Sequence, residues 1–140
     1  MKRLAFAVVV VVLSAVMAFG AVQDFGKFTV NVPAGWTATQ DEETVGIVKD
    51  DNSASVSISY DSLDGSTLEE VADAFLEALN GKNPAKAAEG VYTFTMTNAN
   101  GVESMCYVTG DDKNYGLVVV TGGENAPDEV SAIMDSLQDK

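Results

Sequence analysis

From residue 28 the chain alternates: Phe28, Val30 and Val32 fall on one side, Thr29 and Asn31 on the other, and Pro33-Ala34-Gly35 closes the run. Period-two patterning with a turn signal behind it predicts a strand. A short run at Thr37–Gln40 leads to the acidic turn Asp41-Glu42-Glu43; Val45–Lys49 follows, ended by Asp50-Asp51-Asn52. Val56, Ile58 and Tyr60 then alternate with Ser55, Ser57 and Ser59, a further strand. At this point the period changes. Leu68, Val71, Ala72, Phe75, Leu76 and Leu79 recur along one face of a helix. Ser66 with Glu69 forms an expected capping box, Glu69 and Glu70 complement the positive end of the helix dipole, and Gly81 is placed to stop the helix. Phe75, in the middle of the stripe, is the expected centre of the core beneath it.

Three more strands follow. Tyr92, Phe94 and Met96 share one face, with Thr93, Thr95 and Thr97 on the other, and Asn98-Ala99-Asn100-Gly101 reads as a hairpin turn. Ser104–Thr109 is the next strand and Tyr115–Thr121 the last; Leu117-Val118-Val119-Val120 is apolar on both faces, as a central strand would be. A second helix closes the pattern, with Pro127 in its first turn, Asp128 and Glu129 at its N-terminus, and Val130, Ile133, Met134 and Leu137 as its apolar stripe. Strands, helix, three strands, helix, joined by hairpin turns, predict an α+β domain: a mostly antiparallel sheet flanked by two helices.

The first twenty residues follow a different pattern. Lys2 and Arg3 precede an apolar run from Leu4 to Phe19, and Ala18 and Gly20 occupy the small-residue positions of a cleavage site. Residues 1–20 are therefore expected to be an export signal removed before Ala21, with cleavage after Ala18 as the nearest competitor and an uncleaved anchor as the alternative. Residues 21–140 are then one domain, expected in the periplasm or outside the cell. No cysteine lies near the cleavage site to carry a lipid. The full chain has 8 basic and 21 acidic residues; losing Lys2 and Arg3 leaves six basic residues and a net charge of −15. Such a charge opposes nucleic acid and anionic membrane surfaces. The absence of histidine excludes Ser-His-Asp and Cys-His catalysis and any zinc site with a histidine ligand. Cys106, the one cysteine, has no partner within the chain; it is expected to be a buried strand residue, with an intermolecular disulfide as the alternative.

This order of elements, headed by Phe28-Thr29-Val30-Asn31-Val32-Pro33-Ala34-Gly35-Trp36, resembles the PsbP-like superfamily over roughly residues 25–137. That group includes plant photosystem extrinsic proteins, a eukaryotic Ran-binding factor and small exported bacterial proteins of the DcrB type. The resemblance implies an α/β/α sandwich, an antiparallel sheet with helices on both sides, and a role in binding or assembly. It carries no catalytic residues, and the photosystem and Ran roles do not follow from a shared fold. The residues themselves pull partly the other way. Ser57, Ser59, Thr93, Thr95 and Thr97 give several strands a small polar face, where a face covered by a helix should be more apolar. Either one sheet face is partly open, leaving a two-layer arrangement, or these hydroxyls bond backbone beneath a loop.

Candidate chemistry is sparse. Asp41-Glu42-Glu43, Asp50-Asp51, and Asp61 with Asp64 supply oxygen ligands suited to calcium or magnesium. Asp61-Ser62-Leu63-Asp64-Gly65 fails the EF-hand test, because a glycine at loop position six puts Tyr60 at position one. A solvated acidic surface is the expected reading. Gly122-Gly123 has the composition of an anion-binding nest but is followed by Glu124, so a flexible turn is expected. Trp36 is expected to be a core anchor rather than a ligand platform. No residue is singled out as catalytic, cofactor-binding or metal-binding. The favoured function is a non-enzymatic envelope domain that binds a partner protein or small ligand. The other is a divalent-cation binder or small hydrolase built on carboxylates.

Overall fold

The computed structural model describes residues 21–42 and 44–139; the expected export segment lies outside them. Ten strands and two α-helices follow in chain order. They are β1 (Ala21–Asp24), β2 (Phe28–Val32), β3 (Trp36–Asp41), β4 (Thr44–Lys49), β5 (Ser55–Ser62), α1 (Leu68–Ala78), β6 (Lys82–Ala88), β7 (Val91–Thr97), β8 (Glu103–Gly110), β9 (Asn114–Thr121), α2 (Pro127–Ser136) and β10 (Gln138–Asp139). Seven strands form one antiparallel sheet in the order β3-β4-β5-β9-β8-β7-β6, and three form a small sheet, β10-β2-β1. The fold is α+β, as the alternation of periods predicts. Among the described residues no helix is long and apolar enough to cross a membrane.

Residues directly opposite each other in a ladder share a face, so the register sorts every side chain. On one face Val45, Ile47, Val56, Ile58, Tyr60, Val118 and Val120 form a core with Trp36, with Phe28, Val30 and Val32 of β2, and with Val130 and Ile133 of α2. Phe28 stacks on Tyr60 with ring centroids 5.0 Å apart. The Ser136 hydroxyl ties α2 to the small sheet by accepting the Asn31 N–H at 2.8 Å. On the other face Phe94, Cys106 and Val108, with Leu117 and Val119, form a second core beneath Ala72 and the apolar stripe of α1.

The two cores lie under opposite halves of the sheet. The small sheet and α2 cover β3, β4, β5 and β9 on one side; α1 covers β7, β8 and β9 on the other. Each face is thus covered over one half and open over the other. This resolves the polar stripes in the sequence. Ser57 and Ser59 lie on the open half beside Thr44 and Gly46, while Thr93 and Thr95 lie on the opposite face beside Tyr107 and Met105. β9 is apolar on its two sides because both cores share it: Val118 and Val120 face one, Leu117 and Val119 the other.

Several local expectations shift by a residue or two. The N-cap of α1 is Thr67, not Ser66: its hydroxyl accepts the Glu70 N–H at 3.1 Å, and the Glu70 carboxylate accepts the Thr67 N–H at 2.8 Å. At the other end Asn80 takes the left-handed conformation (φ 57°). The N–H groups of Asn80 and Gly81 then bond the carbonyls of Glu77 at 3.3 Å and Leu76 at 2.7 Å, a Schellman motif. Gly81 is needed for space, since a Cβ there would run into the Phe94 ring and the Leu76 methyl. Phe75 is only half-buried, its ring tilted against Tyr115 at 5.8 Å, so Phe94 (2% exposed) is the centre of this core instead. β1, β6 and β10 carry no periodic apolar signal; β6, Lys-Asn-Pro-Ala-Lys-Ala-Ala, is exposed along its whole length and pairs as an edge.

Candidate functional site

The acidic turns are built from their own side chains. In the β4–β5 turn the Asp51 carboxylate accepts the Ser53 hydroxyl at 2.7 Å and the Ser53 N–H at 3.0 Å. Those bonds hold its pKa below the usual carboxylate range. Asp50 accepts the Thr37 hydroxyl at 2.9 Å. In the β8–β9 turn Asp111 accepts the N–H groups of Asn114 and Lys113, each at 2.8 Å, and its pKa is lowered in the same way. These carboxylates close turns, as short acidic side chains do.

The loop after β5 is equally local. Asp61 accepts the Ser62 N–H at 2.8 Å and pairs with Lys27 at 3.6 Å, and the Ser62 hydroxyl accepts the Asp64 N–H at 3.1 Å. Leu63 between them is buried, and its N–H bonds the Lys113 carbonyl at 2.8 Å. Among the described residues no group of three or more acidic or cysteine side chains is placed to hold a metal ion. Asp41 and Asp50 stand at opposite ends of the β3–β4 hairpin. Glu43 lies outside the described residues.

The remaining singled-out residues serve packing. Trp36 is 6% exposed and sits in the larger core, with its indole Nε1 unpartnered. Gly122 (φ 69°) enters a 3-10 turn over Gly123–Asn125, where the Asn125 amide donates to the Ser53 carbonyl at 2.8 Å. That contact docks this turn on the β4–β5 turn. Cys106 is fully buried beneath α1, so its thiol does not reach a second chain in the folded protein; burial pushes its pKa up to about 11.

What the structure leaves accessible is sheet. The open half-face over β3–β5 presents Thr37, Thr39, Thr44, Gly46, Val48, Ser57 and Ser59. Its upper part forms a shallow concavity of about 760 Å³ lined by Thr39, Asp41, Glu42, Thr44 and Gly46. Here the Thr44 and Ser59 hydroxyls hydrogen-bond each other at 2.9 Å. A second concavity of about 520 Å³ lies between Tyr60, Thr109, Gly110, Asp111, Leu137 and Gln138. The sequence signals the first surface through its alternating Ser and Thr residues. It gives no sign of the second, which joins segments far apart in the chain.

Neither a protein-family model nor a curated protein matches the sequence. Solved structures do. A crystal structure of a Bacteroides thetaiotaomicron protein aligns with TM-score 0.55 and 14% identity over 81% of this chain, which spans 45% of that one, less than half its length. The solution structure of cyanobacterial PsbP (CyanoP) from Synechocystis aligns with TM-score 0.54 and 13% identity, over 87% of this chain and 94% of that one. At such identities the likeness speaks of architecture alone. The chain has a PsbP-like fold.

Proposed function

We propose that the chain is an exported envelope domain of the DcrB type that binds a partner protein or small ligand and does no chemistry of its own. The observation that carries this reading is the uncovered half-face of β3–β5, a surface of hydroxyl and backbone groups left open by a sheet whose other half is packed. Support comes from Asp51, Asp61 and Asp111, whose carboxylates are engaged in their own turns rather than converged on a reacting centre. The basic start, apolar run and small-residue ending at Gly20 support export.

Three measurements test the reading. Intact mass of the exported protein should correspond to a chain beginning at Ala21; a full-length membrane-retained species refutes export. Affinity capture from the native envelope should recover a partner or ligand. Titration calorimetry with calcium, magnesium and manganese should show no saturable heat beyond that of sodium at equal ionic strength. A saturable calcium signal lost in the double variant Asp61→Asn, Asp64→Asn would replace this function with cation binding.

A further inference from the structure

The two edges of the seven-stranded sheet are built differently. An edge strand offers unpaired N–H and C=O groups as a template for another strand, and proteins usually guard it. β6 is guarded in three ways. It carries Lys82 and Lys86, it contains Pro84, and its pairing with β7 is interrupted by two register shifts. β1, on the small sheet, is only four residues long. β3 has none of these devices: Trp-Thr-Ala-Thr-Gln-Asp pairs with β4 in unbroken register over six residues and holds no proline or lysine.

The hydrogen bonds show which groups face outward. Asp50 N–H donates to the Gly35 carbonyl at 2.8 Å, and Lys49 N–H donates to the Ala54 carbonyl at 3.0 Å, away from β3. Trp36 opposite Lys49 is therefore a non-hydrogen-bonded pair, and the alternation of an antiparallel ladder follows. Thr37, Thr39 and Asp41 bond inward to β4. Ala38 and Gln40 turn both their N–H and C=O groups to the free edge. The Trp36 N–H also lies on that side but is taken by the Pro33 carbonyl at 3.2 Å.

Charge then selects the occupant. The strand's interior is neutral. Its far end carries exposed Asp41 and Glu42, and its near end lies beside exposed Asp50, held there by Thr37, while the neighbouring Asp51 is paired with Lys49 at 4.0 Å. Six residue steps at about 3.4 Å, from Asp41 to Gly35 opposite Asp50, separate the ends by roughly 20 Å. A second copy of this chain would bring the same acidic ends and the same excess negative charge. An extended segment with basic side chains about six residues apart meets opposite charge at both ends. We infer that β3 is a strand-addition site, taking an extended basic segment of a partner protein as an eighth strand. The inference deepens the binding-domain reading and rests on it.

The probe is a fluorescent peptide, Lys-Thr-Val-Thr-Val-Thr-Lys, whose two lysines fall on one face of an extended strand, titrated into the mature domain and read by anisotropy. Saturable binding that weakens as sodium chloride is raised is expected. Two N-methylated versions separate strand pairing from plain charge attraction. Methylating one alternate set of amides should weaken binding about tenfold or more, and methylating the other set should leave it nearly unchanged. The variant Ala38→Pro removes an outward N–H without touching the β4 ladder. It should lose the peptide while keeping the native circular dichroism spectrum, and Asp41→Asn with Asp50→Asn should flatten the salt dependence. No saturable binding at low salt, or equal weakening by both methylation patterns, overturns the inference. So does a self-associated dimer that Ala38→Pro dissociates, which would make the occupant a second copy. An envelope partner captured equally well by Ala38→Pro would leave the binding function standing and refute the edge alone.

Discussion

Replacing Phe94 with alanine removes the ring on which α1 sits. The side chain is 2% exposed and packs with Ala72, Cys106 and Val108, while Gly81 lies directly against its edge. Truncating a phenylalanine in such a core costs about 3–5 kcal/mol, the transfer term and the residual cavity together. Phe75 on α1 gives the comparison. It is half-buried and leans on Tyr115 at an interplanar angle of 57°, so its truncation should cost about 1–2 kcal/mol, roughly half of a full burial. The assay is urea unfolding of the mature domain followed by far-ultraviolet circular dichroism. With a slope of about 2 kcal/mol per molar urea, Phe94→Ala should lower the midpoint by about 2 M and Phe75→Ala by about 0.5–1 M. Equal slopes in both variants are required for the comparison to hold. A Phe94 loss no larger than the Phe75 loss would refute the packing described for this half of the sheet. It would put the centre of the core back in the middle of the helical stripe.

Gly81→Ala should destabilise by about 1–3 kcal/mol, because the new methyl meets the Phe94 ring and Leu76; in the same urea assay Leu76→Ala should cost less in the Gly81→Ala background than alone, since it also relieves part of that clash. Thr67→Ala should cost about 1 kcal/mol through loss of the N-cap, whereas Ser66→Ala should change the midpoint by under about 0.5 kcal/mol equivalent. Cys106 should resist a thiol reagent in the native state and react stoichiometrically in urea. Its folded pKa is raised, so the stability it contributes is complete below the unfolded value near 9.0. That contribution is lost as pH rises toward about 11, a high-pH decline that Cys106→Ala should flatten. Asp51 and Asp111 have folded pKa values held down by Ser53 and by the Asn114 and Lys113 N–H groups. Their contribution is present above the ordinary carboxylate range and lost as pH falls below it, so Asp51→Asn with Asp111→Asn should flatten the acid limb of a stability profile.

Much of the fold was legible because it rests on local signals. Phe28-Thr29-Val30-Asn31-Val32 alternates and becomes β2; Leu68 to Leu79 recurs at helical spacing and becomes α1; Pro127 opens α2. The caps were less well placed, since Ser66-Glu69 and Thr67-Glu70 carry the same capping-box pattern one residue apart, and only the backbone geometry selects between them. β6 was not legible at all. Its residues have no alternation because neither face is buried, and it is a strand only because β7 offers a free edge.

The composition alone settles what chemistry is missing. A chain without histidine has no histidine ligand or base in any fold, and one cysteine has no partner in its own chain. The polar stripes likewise announce that some of the sheet is not covered. Which half is open, and on which side, is decided only by tertiary structure. Ser57 and Thr93 read alike in sequence, yet they lie on opposite faces, because α1 crosses from the central β5 to the far edge at β6 and packs on one side while α2 and the small sheet take the other. The same crossover leaves β3 at one edge and β6 at the other. Alternation records whether a side chain faces a core, but not which core, and an edge is defined by the strand that is absent beside it. Those facts belong to the packing of distant segments, where residue spacing carries no information.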